Sequence, residues 1–208
     1  MGKLEMIRRL VFALFACVLA LPVAAQIAPA PPANPRVAFE TSAGRFVVEV
    51  YADKAPITAK NFLRYVDAKR LDGIIFYRTV KVADRFGFVQ LGVQNAPAKM
   101  FPPIRHEPTS ETGIKHLEGT LSMPRLAPGS ARGEFTIMVG DQPSFDADLS
   151  KPGDNLGYAA FARVIEGMDV VIKILDAPVS PTRTIQGSFK GELPEAPVKV
   201  LGVRRVTS

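Results

Sequence analysis

The chain has 208 residues, 47% of them hydrophobic, with 18 prolines, 16 glycines, a single cysteine and a formal net charge of +6. That length suits one domain, or at most a small two-domain chain, with enough apolar residues for a real core. So much proline and glycine favours many turns and short strands and argues against a long-helix architecture.

The first residues read as a targeting segment. Lys3, Arg8 and Arg9 form a basic n-region, and an apolar run from Leu10 to Leu21 is closed by Pro22. Val23-Ala-Ala25 then places small residues ahead of a cut before Gln26. The alternative is an uncleaved anchor, but a membrane span needs roughly 20 apolar residues. A second alternative is lipidation at Cys17, where Phe15 is a poor fit to a lipoprotein cleavage site. The expectation is therefore a signal peptide over 1–25 and an exported protein, periplasmic or secreted, with no stable membrane insertion after cleavage. Loss of 1–25 removes Cys17 and with it any disulfide or thiol chemistry. It also removes Lys3, Arg8, Arg9 and Glu5 from totals of 26 basic and 20 acidic residues, leaving a net charge of +4. A modest excess with no basic run and no aromatic-basic interleaving excludes nucleic acid as a partner.

Residues 26–35 (Gln-Ile-Ala-Pro-Ala-Pro-Pro-Ala-Asn-Pro) read as an extended Pro/Ala linker, and 36–208 as the folded domain. Val37–Thr41 and Phe46–Tyr51 form a predicted hairpin across Ser42-Ala-Gly-Arg45. Pro56 opens a helix whose apolar stripe is Ala59, Phe62, Leu63 and Val66. Ile74–Val80 and Phe86–Gln90 are strands, followed by a long proline-rich connection over 96–112. Short strands come at Gly119–Met123, Glu134–Val139, Tyr158–Val164 and Val198–Val203. A polar surface loop fills 140–157, and a second helix over Glu166–Asp176 carries Met168, Val171, Ile172 and Leu175 on one stripe. About eight short strands with two helices far apart in sequence do not alternate as βαβ units. The pattern predicts a mainly β fold, a closed eight-stranded antiparallel barrel capped by two α-helices. Such a barrel is filled by its own side chains, so a site belongs on its outer wall or rim.

One residue stands out. Arg78 lies within the apolar strand Ile74-Ile-Phe-Tyr-Arg-Thr-Val80. A guanidinium there is costly unless it pairs at an exposed rim or faces something polar for a purpose, and both readings stand. Phe88 and Gln90 share one strand face, as do Glu134 and Thr136. An arginine, an aromatic ring, an amide and a carboxylate on neighbouring strands outline a small polar-rimmed pocket.

Other chemistries find no support. His106 and His116 lie in loop-like sequence with no metal-ligand spacing around them, so no metal or cofactor is expected. Ser122, Ser130 and Ser144 lack a nucleophile elbow. Asp146 and Asp148 are a calcium-loop fragment or a solvated turn; the glycine and distal glutamate of an EF-hand are missing.

Phe76-Tyr-Arg78, the strand ending in Gln90, Gly119-Thr-Leu-Ser-Met123, Glu134-Phe-Thr-Ile137, Gly157-Tyr-Ala-Ala-Phe161 and Ala55-Pro56 followed by Asn61-Phe-Leu63 resemble, in order, the motifs of the cyclophilins. The resemblance covers 36–206. It implies the capped barrel and peptidyl-prolyl cis-trans isomerase activity, with Arg78 and Gln90 as catalytic residues and a monomer acting on proline-containing polypeptides. By the same resemblance Phe88, Met123, Glu134, Thr136, Phe145 and Tyr158 bind substrate. A non-catalytic or weakly catalytic proline-peptide-binding chaperone module is the alternative. The sequence also departs from the family pattern. The segment between Arg78 and Gln90 is longer. Gly87 and Thr136 stand at positions of pocket phenylalanines, Glu134 replaces a glutamine, and Tyr158 replaces a histidine. Glu134 and Thr136 are accordingly expected to look toward Arg78 and to weaken the site.

Overall fold

A computed structural model describes residues 34–94 and 96–206. The proposed signal peptide, and the linker up to residue 33, lie outside the described residues.

Eight strands form one antiparallel sheet in the order β10-β1-β2-β7-β5-β6-β4-β3. They are β1 (Arg36–Thr41), β2 (Gly44–Val50), β3 (Phe76–Ala83), β4 (Phe86–Gly92), β5 (Thr120–Met123), β6 (Glu134–Val139), β7 (Ala159–Glu166) and β10 (Val200–Val206). The sheet curls, and its edge strands approach each other near Ile75 and Lys199, which form an isolated bridge. Phe76 N–H donates to Val198 O and Val200 N–H to Ile74 O, both at 2.9 Å. The mainly β, eight-stranded antiparallel expectation is met. Between the two edge strands lie this single bridge and the flanking bonds, with no continuous ladder among the described residues, so a closed barrel is not shown.

The core lies inside the curl. Period-2 alternation aims Phe39, Phe46, Phe76, Phe135 and Phe161 inward, all essentially fully buried. Phe39 and Phe46, directly opposite in the β1–β2 register, stack at 4.6 Å. Phe62 reaches in from helix α1 (Pro56–Asp67) and meets Phe135 and Phe161 at 5.3 Å each.

Helix α1 starts where proline sits well, with its fixed φ already helical. It has no side-chain cap of its own. The long connection supplies one: buried Glu107 accepts from Ile57 N (3.1 Å), Thr58 N (2.7 Å) and Thr58 Oγ1 (2.6 Å). A carboxylate there satisfies orphan donors and complements the helix dipole. The same connection contains a single helical turn, α2 (Thr109–Thr112).

Helix α3 (Met168–Leu175) packs on β2, β3, β4 and β6. Its buried residues are Val170, Val171, Ile174 and Leu175, while Met168 and Ile172 are only partly covered. The stripe is thus rotated from the expected one. The helix begins after Gly167 in a left-handed conformation, which sets its phase. After α3 come two short strands absent from the sequence reading, β8 (Val179–Ser180) and β9 (Leu193–Pro194), which pair to brace the loop over 177–197.

Candidate active site

Strand register lays one row of side chains across the outer face of the sheet. Arg78 on β3 pairs with Gln90 on β4, Gln90 with Thr136 on β6, and Thr136 with Ser122 on β5. The next row holds Val80, Phe88 and Met138. Alternate residues Val89, Leu91, Phe135 and Ile137 point to the core.

Arg78 is held from several sides. Nη1 donates to Gln90 Oε1 at 3.1 Å, and Nε donates to Glu192 Oε2 at 2.6 Å. The guanidinium carbon lies 5.2 Å from the Phe88 ring centroid and 4.2 Å from that of Phe189. The Arg78 side chain is 21% exposed, so its charge is partly desolvated and gains from a carboxylate partner. Arg78 Nη2 has no acceptor among the described residues.

Aromatic side chains continue the surface. Phe88 meets Phe145 edge-on at 5.6 Å, and Phe145 meets Tyr158 at 5.3 Å. Phe145 ends a 3-10 turn, Pro143–Phe145, and the next residue anchors it. Asp146 Oδ1 accepts from His116 Nδ1 at 2.7 Å and from the His116 backbone N–H at 3.1 Å; His116 Nε2 lies 2.8 Å from Ser122 Oγ. A carboxylate only accepts, so Nδ1 carries the proton and the Ser122 hydroxyl donates to Nε2. Burial pushes the His116 imidazole below its ordinary pKa, against the pull of Asp146. Ser, His and Asp in this order resemble an acyl-transfer triad. However, Ser122 is fully buried and its hydroxyl is already spent. The trio therefore works as a loop anchor under Phe145, a role with no signal in the sequence.

Beyond Tyr158 lies a polar groove of about 240 Å³ lined by Arg125, Ser144, Asp146, Lys151, Asp154 and their neighbours. Arg125 grips Asp154 through both terminal nitrogens (2.6 and 2.7 Å) and Gly157 O through Nε (2.8 Å). Among the described residues, no cluster of metal-ligating side chains occurs.

Several expectations need correction. Met123 does not line the slot: it is fully buried in the core, where its sulfur lies 3.8 Å from Asn61 Nδ2. Strand alternation puts both Leu121 and Met123 on the inner face, while Ser122 between them faces His116. Glu134 does not supply the carboxylate at Arg78. It accepts from Tyr77 Oη (2.6 Å) and Gln94 N (2.7 Å), and the Arg78 partner is Glu192. Burial first, and then Glu134, hold the Tyr77 phenol well above its usual pKa, so it remains a donor. The Glu134 side chain lies across Gly92, where any Cβ would collide with it. Thr136 is buried between Gln90 and Ser122, its Oγ1 3.4 Å from Ser122 O. The aromatic wall expected at that position is supplied by Phe88 and Phe145. Gly87 has φ +153°, and a Cβ there would run into the Val80 carbonyl, so no ring fits.

The comparisons with known proteins agree with this architecture. Residues 36–204 match the family model described as cyclophilin type peptidyl-prolyl cis-trans isomerase/CLD. The chain belongs to the cyclophilin family. It is 36% identical to a peptidyl-prolyl cis-trans isomerase of Acinetobacter baylyi over 175 residues, 83% of this chain and 86% of that one. It is 38% identical to peptidyl-prolyl cis-trans isomerase B of Escherichia coli over 143 residues, 66% of this chain and 82% of the relative. In fold it is similar to a Cryptosporidium parvum cyclophilin crystallised in the presence of the dipeptide Ala-Pro. That likeness has a TM-score of 0.66 at 18% identity, covering 83% of this chain and 99% of the other. The chain is thus a peptidyl-prolyl cis-trans isomerase, and no residue of this cyclophilin needs to make or break a bond to substrate.

Proposed function

We propose that the isomerase binds X-Pro segments across the Arg78–Phe88–Phe145 surface and turns them over with Arg78 as the transition-state donor. An X-Pro bond faces a barrier of roughly 18–20 kcal/mol and crosses it unaided in tens to hundreds of seconds. Catalysis requires only that the twisted amide be bound better than either planar form. Twisting localises a lone pair on the prolyl nitrogen. A guanidinium N–H can donate to that lone pair in the twisted state alone.

The observation that carries this reading is the posture of Arg78. Nε and Nη1 are engaged, and Nη2 remains a donor beside two aromatic rings. Gln90 steadies the guanidinium, Phe88 and Phe145 offer a face for the proline ring, and Tyr158 extends it. The Ala-Pro dipeptide named with the Cryptosporidium parvum cyclophilin supports the same ligand class.

In this reading the chain is exported after cleavage before Gln26 and helps other exported proteins fold, as a monomer whose curled sheet closes into a barrel through Ile75 and Lys199. The basic n-region, apolar run and Val23-Ala-Ala25 support export. NMR exchange spectroscopy on a short Ala-Pro peptide tests the activity: catalytic protein concentrations should collapse the cis-trans exchange time, and unchanged exchange would leave only the peptide-binding reading. N-terminal sequencing of exported protein tests the location. Gln26 is the expected first residue; an intact Met1 or a lipid on Cys17 would refute it.

A further inference from the structure

We infer that Glu192, with Phe189, is a positioning device for the catalytic arginine, supplied by the loop over 177–197. This rests on the reading of Arg78 as the donor and adds to it residues that the sheet itself does not contain. An arginine has four side-chain torsions. A guanidinium that must meet a lone pair present only at the top of the barrier gains from being fixed beforehand. Gln90 alone fixes one nitrogen. The loop fixes the opposite side: Glu192 takes Nε at 2.6 Å, and the Phe189 ring lies 4.2 Å from the guanidinium carbon.

The contact is built into the loop's construction. Thr79 N–H donates to the Glu192 carbonyl at 2.8 Å, so the backbone of Glu192 is docked on β3 directly beside Arg78. Leu193, the next residue, is buried and pairs with Ser180. Glu192 N–H donates to Phe189 O at 3.1 Å, closing a turn that puts ring and carboxylate on the same guanidinium. Phe189 adopts a left-handed φ of 63°, a conformation that a bulky residue takes only when its surroundings require it.

Two roles are open to a carboxylate on a catalytic arginine: holding it in place, or holding it away from substrate. Geometry favours the first. Glu192 occupies Nε, the nitrogen nearest the side-chain stem, while Nη1 keeps Gln90. The guanidinium carbon lies 5.2 Å from the Phe88 ring centroid, and Nη2 has no acceptor among the described residues.

The test uses the full mature chain with the substitutions Glu192→Ala, Glu192→Gln, Phe189→Ala and Arg78→Ala, and the double variant Arg78→Ala with Glu192→Ala. In an Ala-Pro exchange assay Glu192→Ala should lower kcat about tenfold with KM nearly unchanged, less than the loss from removing the donor itself. Glu192→Gln, whose amide oxygen still accepts, should recover much of it. In the Arg78→Ala background, Glu192→Ala should cost nothing further. A rise in turnover in Glu192→Ala would overturn the proposal and make the loop an inhibitory clamp. A drop that persists without Arg78 would overturn it in favour of plain stability. A second readout is independent of activity: the Arg78 Nε–H resonance should be slow to exchange and downfield in the parent chain, and lose both properties in Glu192→Ala. If the parent chain has no turnover but shows that signal, the isomerase reading has failed and the Glu192 contact stands. If the signal is absent, the positioning proposal has failed.

Discussion

The two faces of strand β4 carry different chemistry. Val89 and Leu91 face a core made by the sheet and its helices, to which the long connection adds apolar residues such as Phe101, Ile104 and Ile114. Phe88 and Gln90 face a surface finished by two distant loops. One loop brings Phe145 on the Asp146–His116–Ser122 anchor, and the other brings Phe189 and Glu192. The inner face decides whether the chain folds, and the outer face decides what the folded chain does. The two should therefore respond to mutation in separable ways.

The largest effect on the inner face should come from Phe135→Ala. It removes a ring packed against Phe62, Tyr65 and Phe161 and should cost about 3–5 kcal/mol in chemical denaturation. Turnover per folded molecule should hardly change. Arg78→Ala should do the reverse. Activity should fall by at least ~100-fold, since a transition-state donor is commonly worth ~3 kcal/mol. Stability should change by no more than ~1 kcal/mol for a partly exposed pair. Arg78→Lys should not restore activity, because the fork that serves Gln90 and Glu192 together is gone. Equal losses of stability from both positions would erase the distinction between the faces.

Thr136→Phe sharpens the comparison from the outer side. Thr136 is buried between neighbours, and the wall is already built by other rings, so a phenylalanine should overpack the site at a cost of about 1–3 kcal/mol. Activity should fall with it. A gain in kcat/KM would mean that the slot is short of aromatic surface after all.

The smallest effect is on pH. His116 and His106 both have pKa values held below the ordinary 6.5, in each case mainly by burial. On acidification the unfolded chain takes up these protons before the folded one. Their contribution is complete above pH 6.5 and drains away as the pH falls toward the folded-state values. The Tm should decline from neutral pH toward pH 5, with a shallower slope in His116→Gln. A Tm that is flat through this range would show that the imidazole is not buried neutral.

Legibility in the sequence followed the same division. Pro56 and the Ala59, Phe62, Leu63, Val66 stripe gave α1 its place and its buried face, because 3.6-residue periodicity is a local property. Alternation placed β4 and β6 and put Phe88 and Gln90 on one face. Arg78 was conspicuous because a charge inside an apolar strand demands a partner. The partner was not legible. Glu192 lies 114 residues away in a stretch with no period, held by two-residue strands too short to leave a pattern. The inward turn of Met123 was legible by parity, since it lies two residues from the core residue Leu121 on one strand. Strand parity points Glu134 toward Arg78, but the Tyr77 hydroxyl claims it.

The docking of Glu192 on Thr79 has a further consequence. Strand β3 is the last in the sheet, and an open edge is a template for any passing extended chain. The loop over 177–197 covers part of that edge with a backbone bond and, at the same residue, holds the arginine. Quiescence of the edge and readiness of the site are therefore one event. A molecule whose loop has peeled away is both slower and more adhesive, offering unpaired backbone to the extended polypeptides that an isomerase meets.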